Sequence, residues 1–167
     1  MLTEDEEKYL AQIPADKKVI LEPYDPKTPN ITEKYVKKIN NAEPNLEVIH
    51  IGASALGISG QGDIDLFILC PRNSFSKYRL SLIKELGKPI SGISLTQWHF
   101  EEDSHDIEIY LADPIEESTA RQIRVHKILS SNPNLLKKYE LLKESVANDS
   151  YREYQCQKYE FYNQILK

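Results

Sequence analysis

The stretch that decides the fold is Ile51-Gly52-Ala53-Ser54-Ala55-Leu56-Gly57-Ile58-Ser59-Gly60-Gln61-Gly62-Asp63-Ile64-Asp65-Leu66. Side chains alternate along a strand, so Asp63 and Asp65 are expected on one face and Ile64 and Leu66 on the other. At about 3.3 Å of rise per residue, the two carboxylates lie roughly 6–7 Å apart. This spacing suits one or two hard divalent cations, and Mg²⁺ prefers a few carboxylates together with substrate phosphates.

Small residues precede these aspartates. Gly52, Ala53 and Ser54 allow backbone N–H groups to approach a phosphate closely. A phosphate-cradling turn before a strand with paired aspartates favours metal-assisted phosphoryl transfer. The competing interpretation of an Asp-x-Asp pair alone is a solvated strand face.

Outward from this stretch, the pattern predicts a small mixed sheet followed by three helices. The strands are expected at Lys17–Glu22, Glu47–Ile51, Asp63–Cys70, Ser94–Glu101 and Asp106–Leu111, the last two forming a hairpin. Earlier helices are expected from a capping box at Thr3 to about Gln12, from Asn30, and from Asn73 to just before Gly87. From Glu116 onward the pattern is helical, with breaks at Asn132-Pro133 and Asn148-Asp149.

The composition predicts one domain, 1–167, with a core over about 17–115 and C-terminal helices over about 116–167. The chain has 167 residues, a net charge of −5 and a pI near 5.4, which argues against an extended nucleic-acid groove. The longest wholly apolar run, Leu66 to Cys70, is far shorter than a membrane span. With an acidic N-terminus and only two cysteines, the protein is expected in the cytoplasm without membrane contact.

Two levels of family resemblance follow from these motifs. The order hydrophobe-Gly-small, a nine-residue gap after Ala53, and Asp-hydrophobe-Asp-hydrophobe resembles the DNA polymerase β type nucleotidyltransferase superfamily. Over most of its length the chain is similar to the GrpB family of nucleotidyltransferase-like proteins. That similarity is carried by Pro23-Tyr24-Asp25-Pro26, His50-Ile51-Gly52 with Ser54, Leu56-Gly57-Ile58, Ile64-Asp65-Leu66, Asn132-Pro133, Tyr139 with Leu142-Lys143, and Tyr154 with Lys158 and Phe161.

The resemblance implies an α/β (α+β) nucleotidyltransferase-like fold, in which a third carboxylate comes from a neighbouring strand. Glu108, flanked by isoleucines, fits that position best, and Asp106 is the alternative. Asp63, Asp65 and Glu108 would bind metal, Mg²⁺ or Mn²⁺, and the third acid would activate a hydroxyl acceptor.

The chain also departs from both patterns. Ala53 stands where the superfamily usually has Gly or Ser, so a hydroxyl for phosphate must come from Ser54. The GrpB family usually has a hydrophobic residue at the position of Asp63 and histidines in the following strand. With Asp63 present, this chain resembles a complete metal-binding set more closely than a typical member does.

Basic residues and histidines offer further candidates. Arg121, Arg124 and Lys127 recur three residues apart, and Arg124 and Lys127 are predicted to contact nucleotide phosphates; the alternative is a solvated helix face. Lys143 and Lys158 match family positions. No pair among the histidines has zinc-type spacing, and His50 is expected to be hydrogen-bonded beneath the small-residue turn.

These features predict a Mg²⁺-dependent nucleotidyltransferase that moves a nucleotidyl group from an NTP donor to a hydroxyl acceptor. The catalytic residues would be Asp63, Asp65, and Glu108 or Asp106. The alternatives are a catalytically degenerate member that binds a nucleotide or protein, and a metal-dependent phosphohydrolase that uses water as the acceptor.

Overall fold

The computed structural model describes residues 2–90, 96–147 and 150–167. The strands are β1 (Glu47–Ile51), β2 (Asp63–Leu69), β3 (Gln97–Glu102) and β4 (His105–Ala112). The helices are α1 (Glu4–Gln12), α2 (Thr28–Ala42), α3 (Gly52–Leu56), α4 (Phe75–Leu86), α5 (Glu117–Ser131), α6 (Pro133–Ser145) and α7 (Tyr151–Ile165), with a 3₁₀ turn at Arg72–Ser74. None of the described helices is both long and apolar enough to be a membrane span.

The four strands form one mixed sheet in the order β1-β2-β4-β3. β1 is antiparallel to β2, and β3 is antiparallel to β4. β2 and β4 are parallel neighbours, so the chain must cross over between them through α4 and β3. This crossover brings residues about forty positions apart in sequence into direct register.

The apolar positions of the two central strands form the main core. Ile64, Leu66 and Ile68 of β2 and the alternate residues of β4 are fully or almost fully buried, and they pack with residues of α2 and α4. The alternation predicted for β2 is therefore confirmed. The opposite face of these strands carries the acidic residues and, further along, Phe67 and Tyr110, with α5 to α7 nearby.

Several predicted helix boundaries are confirmed. Thr3 caps α1 in a capping box with Glu6, as the spacing predicts. The amide N–H of Leu135 donates a 3.1 Å hydrogen bond to the Asn132 side chain, which caps α6 at the predicted break. The second predicted break, Asn148-Asp149, and the first residues of the predicted strand Ser94–Glu101 lie outside the described residues.

The strand predicted over Lys17–Glu22 is wrong. This segment makes only isolated bridges, one from Lys18 to Ser150 and one from Glu22 to Gly60. Its apolar residue Val19 is completely buried, in a small cluster with Val146 and Tyr154 at the C-terminal helices. Apolar residues of this segment thus pack against helices rather than in the sheet.

Candidate active site

Four carboxylates occupy one face of the two central strands. The register pairs Asp65 with Glu108 and Asp63 with Asp106. Because directly paired residues point to the same side of a sheet, the acids form two adjacent rows. The isoleucines that alternate with them are fully buried on the other side, which holds the rows in place.

Asp65 is the most strongly perturbed of these acids. Its burial, and next to it the charges of Asp63 and Glu108, raise its pKa from 3.8 to about 7, while Lys158 acts in the opposite direction. Close carboxylates favour a bound cation because the cation removes their mutual repulsion. The donor set is oxygen only, which is the set that Mg²⁺ prefers.

Gly52 lies directly against the Asp65 carboxylate. Its φ is +84°, and a Cβ added there would be 2.9 Å from Asp65 Oδ2. The position requires glycine both for its backbone conformation and for its space. The turn that begins α3 therefore lies in contact with the carboxylate, as a phosphate cradle beside a metal ligand would require.

The residues on either side of Gly52 have separate roles. His50 Nε2 lies 2.9 Å from Ser54 Oγ, so the prediction that His50 is hydrogen-bonded beneath the turn is confirmed. Burial, together with the neighbouring His126, lowers the pKa of His50 to about 4, so the imidazole is neutral at physiological pH. The side chain of Ala53 packs in an apolar cluster with Ile58, which leaves only its backbone to face a ligand.

A cavity of about 310 Å³ opens beside Gly52 and Asp65, and its basic lining residues are Arg121 and Lys158. Burial disfavours a charge on Lys158, but the neighbouring tyrosines, foremost Tyr162, and Asp63 hold its pKa above the usual value. Lys158 therefore supplies a cation beside the Asp65 carboxylate. A cavity lined by a carboxylate and by two cations suits a metal–phosphate ligand.

Lys143 approaches the other aspartate. It is 1% exposed, and its Nζ donates a hydrogen bond to the Ser59 carbonyl oxygen. A Cβ built on Gly60 would lie 3.8 Å from Lys143 Nζ and 3.9 Å from Asp63 Oδ1, so both groups meet at this glycine. Burial, and next to it Lys158, lower the pKa of Lys143 to about 8.

Arg124 and Lys127 lie elsewhere. They line a cavity of about 510 Å³ beside β1, and the acids of β2 and β4 are not among the residues that line it. The basic residues that the structure brings to the acids are Lys143, Lys158 and Arg121. All three have a signal in the sequence: Lys143 and Lys158 match family positions, and Arg121 begins the basic series that continues with Arg124 and Lys127.

The two candidates for the third carboxylate differ in their surroundings. Glu108 is partly buried, lies opposite Asp65, and accepts a hydrogen bond from the Tyr110 hydroxyl. The Asp106 side chain is 59% exposed and lies 2.8 Å from His99 Nε2. This arrangement favours Glu108 as the third acid of the site.

The family model for GrpB protein matches residues 18–167. The chain belongs to the GrpB family. The fold is similar to the crystal structure of the conserved protein GrpB from Enterococcus faecalis, with a TM-score of 0.60 and 16% identity over 89% of this chain and 100% of that one.

Two structures of the Cid1 poly(U) polymerase also match. The MgGTP-bound form has a TM-score of 0.48 and 12% identity over 83% of this chain and 44% of that one. The second structure, described as a basis for RNA terminal uridylyl transferase activity, has a TM-score of 0.47 and 13% identity over 83% of this chain and 43% of that one. This GrpB-family chain thus spans less than half of that polymerase. No curated protein matches the sequence.

α1 lies outside the range that the GrpB family model matches, yet it contacts the cavity lining. Glu6 is 6% exposed, and its carboxylate lies 2.6 Å from Arg121 and accepts a 2.8 Å hydrogen bond from Asn163. Burial alone would raise the pKa of Glu6, but hydrogen bonds from Thr3 and Asn163 and the Arg121 charge hold it below 4.5. Glu6 thereby fixes one of the two cations of the cavity.

We expect Glu6→Gln to lower the free energy of unfolding by about 1.5–3 kcal/mol at neutral pH, since it removes charge-assisted hydrogen bonds. A carboxylate with a lowered folded-state pKa stabilises above its unfolded-state pKa, so the loss should shrink as the pH falls from about 4.5 and disappear below the lowered folded-state pKa. Urea denaturation at several pH values measures this. The exposed neighbour Glu7 supplies the control, Glu7→Gln, and equal effects of both variants at neutral pH would contradict the prediction.

Proposed function

We propose that this GrpB-family protein is a Mg²⁺-dependent nucleotidyltransferase that uses an NTP as donor and a hydroxyl as acceptor. The observation that carries the proposal is the register of Asp65 opposite Glu108, beside Asp63 and against Gly52. The register thus places Glu108 beside Asp65 on one face of the sheet, and the Gly52 backbone lies against the Asp65 carboxylate. The free thiols of Cys70 and Cys156 agree with a cytoplasmic location, which is part of the proposal.

Each residue has a distinct role in this proposal. Asp63, Asp65 and Glu108 would hold Mg²⁺ or Mn²⁺, and the bound metal would neutralise phosphate charge and polarise the α-phosphate. The backbone of Gly52-Ala53-Ser54 would cradle phosphate oxygens. Lys158 and Arg121 line the same cavity as Asp65 and are better placed for the remaining phosphates than Arg124 and Lys127.

The reaction is a displacement at the α-phosphorus. The acceptor oxygen forms a bond to that phosphorus as the bond to pyrophosphate breaks, and Glu108 takes the hydroxyl proton. Lys158 and Arg121 offset the charge of the departing pyrophosphate. The neutral His50 orients the Ser54 hydroxyl, which donates to a phosphate oxygen.

The test is thermal unfolding with each of the four ribonucleoside triphosphates, with and without Mg²⁺. A ligand at about 100 times its dissociation constant stabilises the native state by about 2.7 kcal/mol. We expect a Mg²⁺-dependent rise in Tm with at least one NTP, and its loss in Asp65→Asn and Glu108→Gln. Asp106→Asn, on the same strand as Glu108, should keep the Mg²⁺-dependent rise in Tm and serves as the matched control.

The same preparation separates the competing functions. With an NTP labelled at its α-phosphate, label in an acceptor product together with released pyrophosphate supports nucleotidyl transfer. Phosphate or pyrophosphate released without any acceptor points to a phosphohydrolase, and a Tm rise without turnover points to a binding protein. If no NTP raises the Tm of the wild type, the nucleotidyltransferase proposal is wrong.

A further inference from the structure

A second group of ligand atoms lies on the same sheet face, one strand further out. His99, Glu101 and Asp106 each place one nitrogen or carboxylate oxygen within 4.8 Å of the other two. Glu101 pairs with Asp106 across the β3–β4 hairpin, and His99 Nε2 lies 2.8 Å from Asp106 Oδ1. In the described part of the chain, no other three His, Cys, Asp or Glu side chains bring their ligand atoms this close together.

Among the described residues, the two carboxylates of this group have no lysine or arginine partner. Like charges directly opposite each other destabilise a strand pair, and Glu101 and Asp106 form such a pair. Among the described residues, neither carboxylate has a lysine or arginine within 4.0 Å, whereas the adjacent acids Glu102 and Asp103 are paired with Lys34 and Lys27. A cation bound between Glu101 and Asp106 would remove the repulsion.

The donor set indicates which cation fits. One imidazole nitrogen with two carboxylate oxygens suits a first-row transition metal better than Mg²⁺. Metal–ligand distances of about 2.0–2.2 Å require the three groups to close by roughly an ångström, and their exposed side chains are free to rotate. The linear spacing of histidines contains no zinc motif because these ligands come from two different strands.

We propose that His99, Glu101 and Asp106 form a binding site for a divalent transition-metal ion, with Zn²⁺ as the probe. Binding replaces the hydrogen bond between His99 and Asp106 with two bonds to the metal, and any proton on the imidazole nitrogen that binds is released to solvent. Three protein ligands leave a fourth position for water or a substrate atom, as in open zinc sites. The proposal is independent of the proposed nucleotidyltransferase function.

Calorimetric titration with Zn²⁺ tests the site, in excess Mg²⁺ so that the oxygen-only site is occupied. We expect His99→Asn and Glu101→Gln each to weaken Zn²⁺ binding at least about tenfold, since loss of a ligand costs no less than loss of an outer-shell partner. Glu102→Gln makes the same change of charge one residue away, on the other face of β3, and should leave the affinity unchanged. Asp65→Asn should also leave it unchanged.

The imidazole NMR signals of His99 should shift on Zn²⁺ addition in the wild type and in Asp65→Asn. Zn²⁺ affinity in His99→Asn equal to that of the wild type would overturn the proposal, as would a wild type that binds no Zn²⁺. The three substituted side chains other than Asp65 are at least partly exposed, and circular dichroism of each variant confirms that the comparison is made between folded proteins.

Discussion

In the metal-free protein at about pH 8, Asp65→Asn should raise the free energy of unfolding by up to about 4 kcal/mol. The pKa of Asp65 is about 7 in the folded protein against 3.8 as its ordinary value. A difference of about three pKa units between the two states corresponds to about 4 kcal/mol. Asparagine has nearly the same shape and removes the charge that the fold tolerates poorly.

The pH dependence follows from the same pair of values. Between about pH 4 and pH 7 the unfolded chain has lost the Asp65 proton and the folded chain keeps it, so the wild type loses stability as the pH rises. The groups that face Asp65 are Asp63 on its own strand, Glu108 on β4 and Lys158 on α7. The advantage of the variant should therefore be absent at about pH 4 and complete above pH 7.

Urea denaturation in the presence of a chelator measures this difference. Asp106→Asn, at an exposed position of the same sheet face, is the control and should change stability little. Addition of Mg²⁺ should stabilise the wild type and not the variant, because the bound metal compensates the charge of the Asp65 carboxylate. A variant less stable than the wild type at about pH 8 would contradict the prediction.

Gly52→Ala should destabilise the protein by about 2–5 kcal/mol, the sum of backbone strain and overpacking. Its φ is +84°, and the new Cβ would lie 2.9 Å from Asp65 Oδ2. Gly57 offers a matched control, because it has a φ of +68° and nothing within 4 Å of an added Cβ. Gly57→Ala should therefore show the backbone cost alone, about 1–2 kcal/mol.

A double-mutant cycle isolates the contact. In an Asp65→Ala background the carboxylate is gone, so Gly52→Ala should cost no more than Gly57→Ala does. The coupling energy from thermal or urea unfolding then measures the Gly52–Asp65 contact directly. Equal costs for Gly52→Ala in both backgrounds would mean that Asp65 is not pressed against this glycine.

Local patterns were enough to predict the elements that carry the acids. The alternation from Asp63 to Leu69 predicts both the strand and the face on which each side chain lies. The capping box at Thr3 predicts the start of α1. These features depend on residues two to four positions apart, which a sequence displays directly.

The rest of the site depends on contacts between distant parts of the chain. The pairing of Asp65 with Glu108 follows from the parallel register of β2 with β4, which no local pattern specifies. Lys158 lies about ninety positions after Asp65 and reaches the same cavity through the packing of α7. Strand Lys17–Glu22 was predicted wrongly because a short apolar run does not reveal whether its partner is a sheet or a helix.

The basic residues of α5 illustrate a further reason why part of the site could not be predicted from the sequence. A helix turns by about 100° per residue, so Arg121 and Lys127, six positions apart, point in directions about 120° apart. Arg121 accordingly lines the cavity beside Asp65, while Lys127 lines the cavity beside β1. A spacing of three residues keeps neighbours in contact but does not keep a whole series on one face.

The bond between Glu6 and Asn163 joins residues 157 positions apart, and this has a consequence for synthesis of the chain. α1 has nine residues, and an isolated helix of this length is marginal in water. Until α5 and then α7 have been synthesised, α1 lacks first Arg121 and then Asn163 to dock against. α1 is thus secured only after α7 has been synthesised, although it lies far earlier in the chain.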